Sequence, residues 1–239
     1  MIIQGDCLAY LNQCQPYYDV IFADPPDGIS LSYNEYNDRI SDERYRQLVF
    51  RWVRTFCAYS SCVWLSFNTK RLLDFAAAVD KYAACYDMEF KACVQTFTFG
   101  QHNHRDWGNN HRPLWRLKHA DHVLYPDNTR VPSWRQLNGD KRADPRGRVP
   151  GDVLDIPRVT GNSKQRRSYH PTQLNEKLVE QCLLLTTPPG GKVLDPFGGT
   201  GTTLRVCQRL GIECDLIELD SMYCAKLREE HPNEEFIKW

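Results

Sequence analysis

The sequence predicts an α/β protein with a doubly wound, mostly parallel, Rossmann-like sheet. Three observations carry that expectation. Short apolar and β-branched runs at 18–23, 62–67 and 192–195 read as buried strands. Segments with helical apolar spacing alternate with them, which is the pattern of a parallel sheet wound on both faces. The chain has 239 residues, ample for one core with a small insertion and cramped for two full domains.

Taken in order, 18–23 is a strand stopped by Asp24-Pro25-Pro26, leaving the Asp24 carboxylate at its carboxyl end, where ligands of open α/β sheets gather. Residues 42–59 carry Tyr45, Leu48, Val49, Trp52, Val53 and Phe56 at helical spacing. Ser41 is the N-cap, and Asp42 and Glu43 favour the positive end of the helix dipole. A strand at 62–67, a helix at 70–82 and a strand at 92–99 follow. From 100 to 167 the pattern breaks into Gly, Pro, Asn, His, Arg and Trp, the mark of an insertion. Regular spacing resumes with a helix at 174–186, a strand at 192–195 opening into a glycine loop, a helix at 202–210 and a strand at 214–218.

The chain carries 30 basic and 30 acidic residues, yet they are unevenly spread. Between Gly100 and His170 there are fourteen Lys or Arg against seven Asp or Glu, a local charge of +7 that the remainder balances at −7. A basic segment in a neutral chain is the footprint of a polyanion site. The ten cysteines include no C-x-x-C pair, and the start turns polar at once after Met1-Ile2-Ile3. Reduced thiols in a cytoplasmic protein fit that usage, with Cys62, Cys85, Cys93, Cys182 and Cys207 as small core residues and packing as the default for Cys7, Cys14 and Cys57. No apolar run approaches the ~18 residues of a membrane span. Five of the seven histidines, His102, His104, His111, His119 and His122, fall in the basic stretch, but no cysteine pair completes a zinc spacing, so no metal is expected.

Two segments bear chemistry. Residues 195–203, Asp-Pro-Phe-Gly-Gly-Thr-Gly-Thr-Thr, form a strand, a tight glycine turn and a helix start, which brings backbone N–H groups close to a ligand. Glu218 ends the next strand 23 positions after Asp195, the place of a carboxylate that binds ribose hydroxyls. No Lys follows Gly201, so this is not a nucleotide-hydrolysing P-loop. In Asp24-Pro25-Pro26, the prolines fix φ near ~−65° and offer no competing N–H, so the Asp24 carboxylate and the Pro25 carbonyl stay aimed as acceptors. Hydrogen bonds from an aromatic amino group to two such acceptors push its delocalised lone pair out of plane and make it nucleophilic.

Together the two segments resemble the halves of a DNA amino-methyltransferase, and their order, catalytic half first, resembles the circularly permuted beta class. His170-Pro171-Thr172-Gln173 is similar to a stretch that encloses the methionine part of the cofactor in that family. Gly5-Asp6 resembles its Gly-Asp element near the cofactor adenine, and Asp152-Val153-Leu154 its Asp-Val-Trp element. The resemblance implies S-adenosylmethionine as cofactor, held by Asp6, His170, Thr172, Asp195, Phe197, Gly198, Gly199, Gly201, Thr202 and Glu218, and Asp24, Pro25, Pro26 and Asp27 as the catalytic motif. It divides the chain into a catalytic half at 1–99, a target-recognition insertion at 100–167 and a cofactor-binding half at 168–239. Arg112, Arg116, Arg135, Lys141, Arg142, Arg146, Arg148 and Arg166, interleaved with Trp107, Trp115 and Trp134, are the expected DNA contacts.

The implied reaction extrudes a base from double-stranded DNA, aligns its amino nitrogen and methylates it without a covalent enzyme intermediate. Aspartate at the first motif position points to adenine N6, since serine is usual in the cytosine-N4 relatives. The alternatives are an N4-cytosine enzyme and a non-catalytic DNA-binding protein that keeps the fold. The partners implied are DNA and, left open, a second copy in a homodimer; the setting implied is a bacterial or phage-infected cytoplasm. One departure stands out. The family's fourth motif position carries a ring that stacks on the base, and this chain has Asp27. The first expectation is that Tyr33 or Tyr36 substitutes; otherwise Asp27 bonds the base edge or sits near the cofactor's sulfur.

Overall fold

The structure is a computed structural model that describes residues 1–98 and 104–239. In chain order its elements are β1 (Ile2–Gln4), α1 (Cys7–Cys14), β2 (Val20–Ala23), α2 (Asp42–Ala58), β3 (Cys62–Ser66), α3 (Leu72–Cys85), β4 (Met88–Thr96), β5 (His111–His119), α4 (Trp134–Leu137), β6 (Val153–Asp155), α5 (Glu176–Thr186), β7 (Lys192–Asp195), α6 (Thr202–Leu210), β8 (Glu213–Glu218), α7 (Ser221–Glu230) and β9 (Phe236–Lys238). The strands form one nine-stranded sheet in the order β6-β4-β5-β3-β2-β7-β8-β1-β9. β5 runs antiparallel to β3 and β4, and the other described pairings are parallel.

Strand alternation sorts the side chains into two cores, one on each face of the sheet. Ile3, Ile21, Val63, Leu65, Leu194 and Ile217 face α1, α2 and α3, where Leu11, Val49, Phe56 and Phe75 meet them. Ile2, Val20, Phe22, Trp64, Val193 and Leu216 face the other way, onto Leu178, Val179 and Leu183 of α5 and Leu204 and Val206 of α6. From β2 the chain winds one way, to β3; from β7 it winds the other, to β8. The switch falls between β2 and β7, which pair through Val20↔Val193 and Ile21↔Leu194, so Asp24 and Asp195 emerge side by side at the carboxyl edge.

Several expectations need correction. The stretch 100–167 is not wholly an insertion: β5 lies inside the sheet and β6 at its edge, and 120–152 is what leaves it. The strand was masked in sequence because Arg116 and Lys118 are buried within it. Lys118 reaches Glu89 at 2.8 Å, and the Arg116 guanidinium lies 5.7 Å from the centre of the Trp64 ring, each covering apolar surface with its stem. β4 starts at Met88 rather than 92, and α3 at Leu72 rather than 70. Gly5-Asp6 lies between β1, a strand the sequence does not announce, and β2, and Asp6 caps α1 by accepting from the Ala9 N–H at 2.8 Å. Cys85 and Cys14 are exposed, whereas Cys7, Cys57, Cys62, Cys93, Cys182 and Cys207 are buried. Ser41 caps α2 as expected, accepting from the Arg44 N–H. No described helix is long and apolar enough to cross a membrane.

Candidate active site

The Asp24–Asp27 turn is held from below by α2 and the start of α3. Tyr45 donates its hydroxyl to the Pro26 carbonyl at 2.9 Å, and Arg71 donates to the carbonyls of Asp27, at 2.9 Å, and Gly28. Arg71 in turn stacks 4.1 Å over the Tyr45 ring and pairs with Asp42 at 2.7 Å. The chain beyond is gathered by the buried Asp38 carboxylate, which accepts from the N–H groups of Gly28, Ile29 and Leu31 at 2.8–2.9 Å. With those carbonyls engaged, no donor among the described residues meets the Pro25 carbonyl. Burial pushes the Asp24 carboxyl above its usual range, and the Arg112 guanidinium opposes that rise, donating to Asp24 Oδ1 at 2.7 Å.

Across the switch point, the glycine loop leaves β7 and turns into α6. Gly198 donates to the Ile217 carbonyl at 2.8 Å, and a Cβ there would stand 2.2 Å from Leu216 Cδ2, so only glycine lets the loop lie on β8. Gly201 has φ +72 and a Cβ there would meet Leu227 at 2.6 Å; it makes the turn. The Glu218 carboxylate accepts from the N–H groups of Gly199 at 2.6 Å and Asp220 at 2.8 Å. Burial pushes its carboxyl up to about 7, and pushes Asp195 up to about 6 although Asp195 accepts from the Phe197 N–H. His170 roofs the turn: a Cβ on Gly199 would lie 3.2 Å from its Nε2, and its ring packs against Tyr223 and Tyr33 with centroids at 4.6 and 5.6 Å. Burial lowers the affinity of the imidazole for a proton. Phe197 sits edge-on to Trp52 and Phe56.

Both turns open into one cavity of about 550 Å³, within the range of small-molecule sites. Asp24, Pro25, Pro26, Asp27, Asp6, His170, Thr172, Asp195, Phe197, Gly198, Gly199, Thr202 and Glu218 all line it, and Gly201 does not. The residues fit a nucleoside ligand: an oriented carboxylate at Glu218, close backbone at the glycine turn, and apolar surface from Leu8, Trp52 and Phe197. Sequence reasoning missed Leu8, Trp52, Asp220 and Tyr223 in that wall. Asp220 alone had a local signal, as the N-cap of a helix opening just after the Glu218 strand.

The residues expected to meet DNA separate. Arg112 reaches into the cavity between Asp24 and Asp27. Arg116 is 8% exposed inside the sheet, out of reach of a phosphate. Arg166 braces the His170 turn, donating to the carbonyls of His170 and Pro171. Arg135, Lys141, Arg142, Arg146 and Arg148 are exposed on the 120–152 excursion, with Arg142 paired to Asp140 and Arg146 to Asp144. That excursion leaves β5 at the amino edge, where His119 pairs with Ser61, and the chain regains the carboxyl edge after β6. His102 lies outside the described residues; among the described ones no group of three or more His, Cys, Asp or Glu could hold a metal ion.

A family model described as DNA methylase matches residues 18–229. The Type II methyltransferase M.BglII of Bacillus subtilis is 33% identical over 151 residues, which are 57% of this chain and 42% of that protein. The DNA adenine methyltransferase YhdJ of Escherichia coli K12 is 28% identical over 246 residues, 93% of this chain and 79% of that protein. This chain thus spans about two fifths of the length of M.BglII. Among solved structures, the cytosine-N4-specific PvuII DNA methyltransferase superposes with a TM-score of 0.68 at 14% identity, covering 94% of this chain and 83% of that one. The M1.HpyAVI–SAM complex superposes at 0.62 with 18% identity, covering 96% and 98%. At such identities the superpositions show a shared fold.

Proposed function

The chain belongs to the DNA methylase family, and we propose that it transfers the methyl group of S-adenosylmethionine to adenine N6 in double-stranded DNA. The observation that carries this reading is the pair of acceptors at the end of β2, Asp24 and the Pro25 carbonyl, opening into the same cavity as Glu218 and the glycine loop. S-adenosylmethionine supplies an electrophilic sulfonium methyl. Glu218 would accept from the ribose hydroxyls, Leu8, Trp52 and Phe197 would supply apolar surface to the purine beside Asp6, and His170 and Thr172 would enclose the methionine portion. Asp24 and the Pro25 carbonyl accept from the two N–H groups of the target amine, which turns its lone pair toward the methyl. The cluster opposes the positive charge that grows on the nitrogen with two carboxylates against one guanidinium.

Aspartate at position 24 supports adenine, and YhdJ is an adenine methyltransferase by name. The likeness to the PvuII enzyme keeps cytosine N4 as the rival target. The exposed cations of 135–148 and the carboxyl-edge loops are the surfaces we assign to DNA, with target recognition in the parts of 100–167 that leave the sheet. The test is to incubate the protein with S-adenosylmethionine and unmethylated mixed-sequence DNA, digest to nucleosides and identify the product by mass spectrometry. N6-methyladenine supports the proposal, N4-methylcytosine moves it to the rival, and absence of both with cofactor bound favours a non-catalytic DNA-binding role.

A further inference from the structure

We propose that Arg112, held in place by Asp27, provides the flat surface on which the extruded base lies, in the position where the family carries an aromatic ring; this rests on the reading of the site as a base-amino methyltransferase. Asp27 is 6% exposed, and its carboxylate accepts from the Asn68 N–H at 3.1 Å and from both terminal nitrogens of Arg112 at 3.2–3.3 Å. Its oxygens are therefore spent on protein donors, away from a base edge or a sulfonium. Arg112 is likewise committed along its rim: Nε donates to Ser66 Oγ at 2.9 Å and Nη2 to Asp24 Oδ1 at 2.7 Å. Four bonds to three side chains on two strand ends fix the guanidinium plane and engage four of its five in-plane N–H groups. A fifth of the side chain stays exposed, and it lines the cavity. What such a guanidinium has left to offer is chiefly its face, and guanidinium faces stack on nucleobases.

The fold explains how a residue so distant in sequence arrives there. β5 enters the sheet at the carboxyl edge, and the register Ser66↔Leu114 carries Arg112 past the end of β3, level with the turn after β2. The two rings expected to substitute, Tyr33 and Tyr36, also line the cavity; they pack edge to face at 5.9 Å, and Tyr33 leans on His170. Arg112 is thus a stacking residue and Asp27 a positioning residue that acts through it.

The test uses Arg112→Lys, which keeps the charge and loses the plane, measured in single turnover at saturating S-adenosylmethionine on the DNA site identified for the native protein. The methylation rate is expected to fall about 5- to 150-fold, with S-adenosylmethionine affinity within twofold of native. Fluorescence of 2-aminopurine at the target position should report less extruded base at equal DNA binding. The double variant Asp27→Phe/Arg112→Ala, which restores a ring, should regain at least about tenfold over Arg112→Ala. Arg112→Lys at the native rate, or Tyr33→Leu losing the extruded state while Arg112→Lys keeps it, overturns the inference and leaves the methyltransferase reading standing. If the native protein methylates no base, that reading fails first. Should the double variant not bind S-adenosylmethionine, the Arg112→Lys rate and fluorescence decide alone.

Discussion

The two walls of the cavity are built in different ways. The cofactor wall draws most on one stretch: Asp195, the glycine turn and Glu218 lie on β7, the start of α6 and β8, and Asp6, Leu8 and Trp52 join them from the start of the chain and α2. The catalytic wall is assembled from afar. Asp24 and Asp27 follow β2, Asn68 and Ser66 follow and end β3, Tyr45 and Arg71 prop the turn from α2 and the start of α3, and Arg112 arrives on β5, 85 residues from Asp27. A contiguous stretch advertises itself in sequence. A wall made of distant residues can exchange one member, such as a ring for an aspartate, when another strand supplies a compensating group.

Substitutions on the two walls should therefore behave differently. The largest effect is expected for Asp24→Ala, which removes an acceptor of the target amine: turnover should fall by at least about 100-fold while S-adenosylmethionine affinity, measured by calorimetry, stays near native. Full activity in that variant would break the division between the walls. Arg112→Ala should cost about 3 kcal/mol of stability, because the buried Asp27 and the half-buried Asp24 carboxylates lose their shared partner. Chemical denaturation of the two proteins measures it, and native-like stability would show that the catalytic wall does not depend on the distant strand.

On the cofactor wall, Glu218→Gln should weaken S-adenosylmethionine binding about tenfold and leave the bound-state methylation rate less affected. Burial raises the Glu218 carboxyl from 4.5 to about 7, so the neutral form is favoured in the ligand-free fold. Its contribution to stability is present below about 4.5 and is lost as pH rises through about 7, while ribose binding needs the ionised acceptor. Affinity should thus fall as pH drops from 8 to 6 in the native protein and stay flat in Glu218→Gln; titration calorimetry across that range checks it. The smallest effect on this wall is expected for Gly198→Ala, about 1–3 kcal/mol from the Cβ driven onto Leu216, read as a lowered midpoint of unfolding with the catalytic wall intact.

Much of this was legible in the sequence, for identifiable reasons. β2, β3, β7 and β8 are buried on both faces and so read as continuous apolar runs, and α2 announces itself through Ser41 and its spaced aromatics. β5 was not legible, since Arg116 and Lys118 break its pattern while burying their stems beneath it. The three-residue strands β1, β6 and β9 are too short to show a period. Arg112 could be recognised only as one of many basic residues, because its place is set by a strand register that no local pattern encodes. Arg166 reads as one more basic residue for the same reason, and in the fold it donates to the His170 carbonyl.

The placement of β1 at the far side of the sheet sets an order of events on the ribosome. β1 pairs with β8 and β9 alone among the described strands, through Ile2↔Leu216 and Ile2↔Phe236, so β1 waits for strands made long after it. β2, β3, β4 and β5 can meanwhile find one another as they emerge, bringing Asp24, Asp27 and Arg112 together early. Such long-range pairing is slow to form. The catalytic turn thus matures before β7, α6 and β8 exist to complete the cofactor site, and competence to hold the methyl donor follows it.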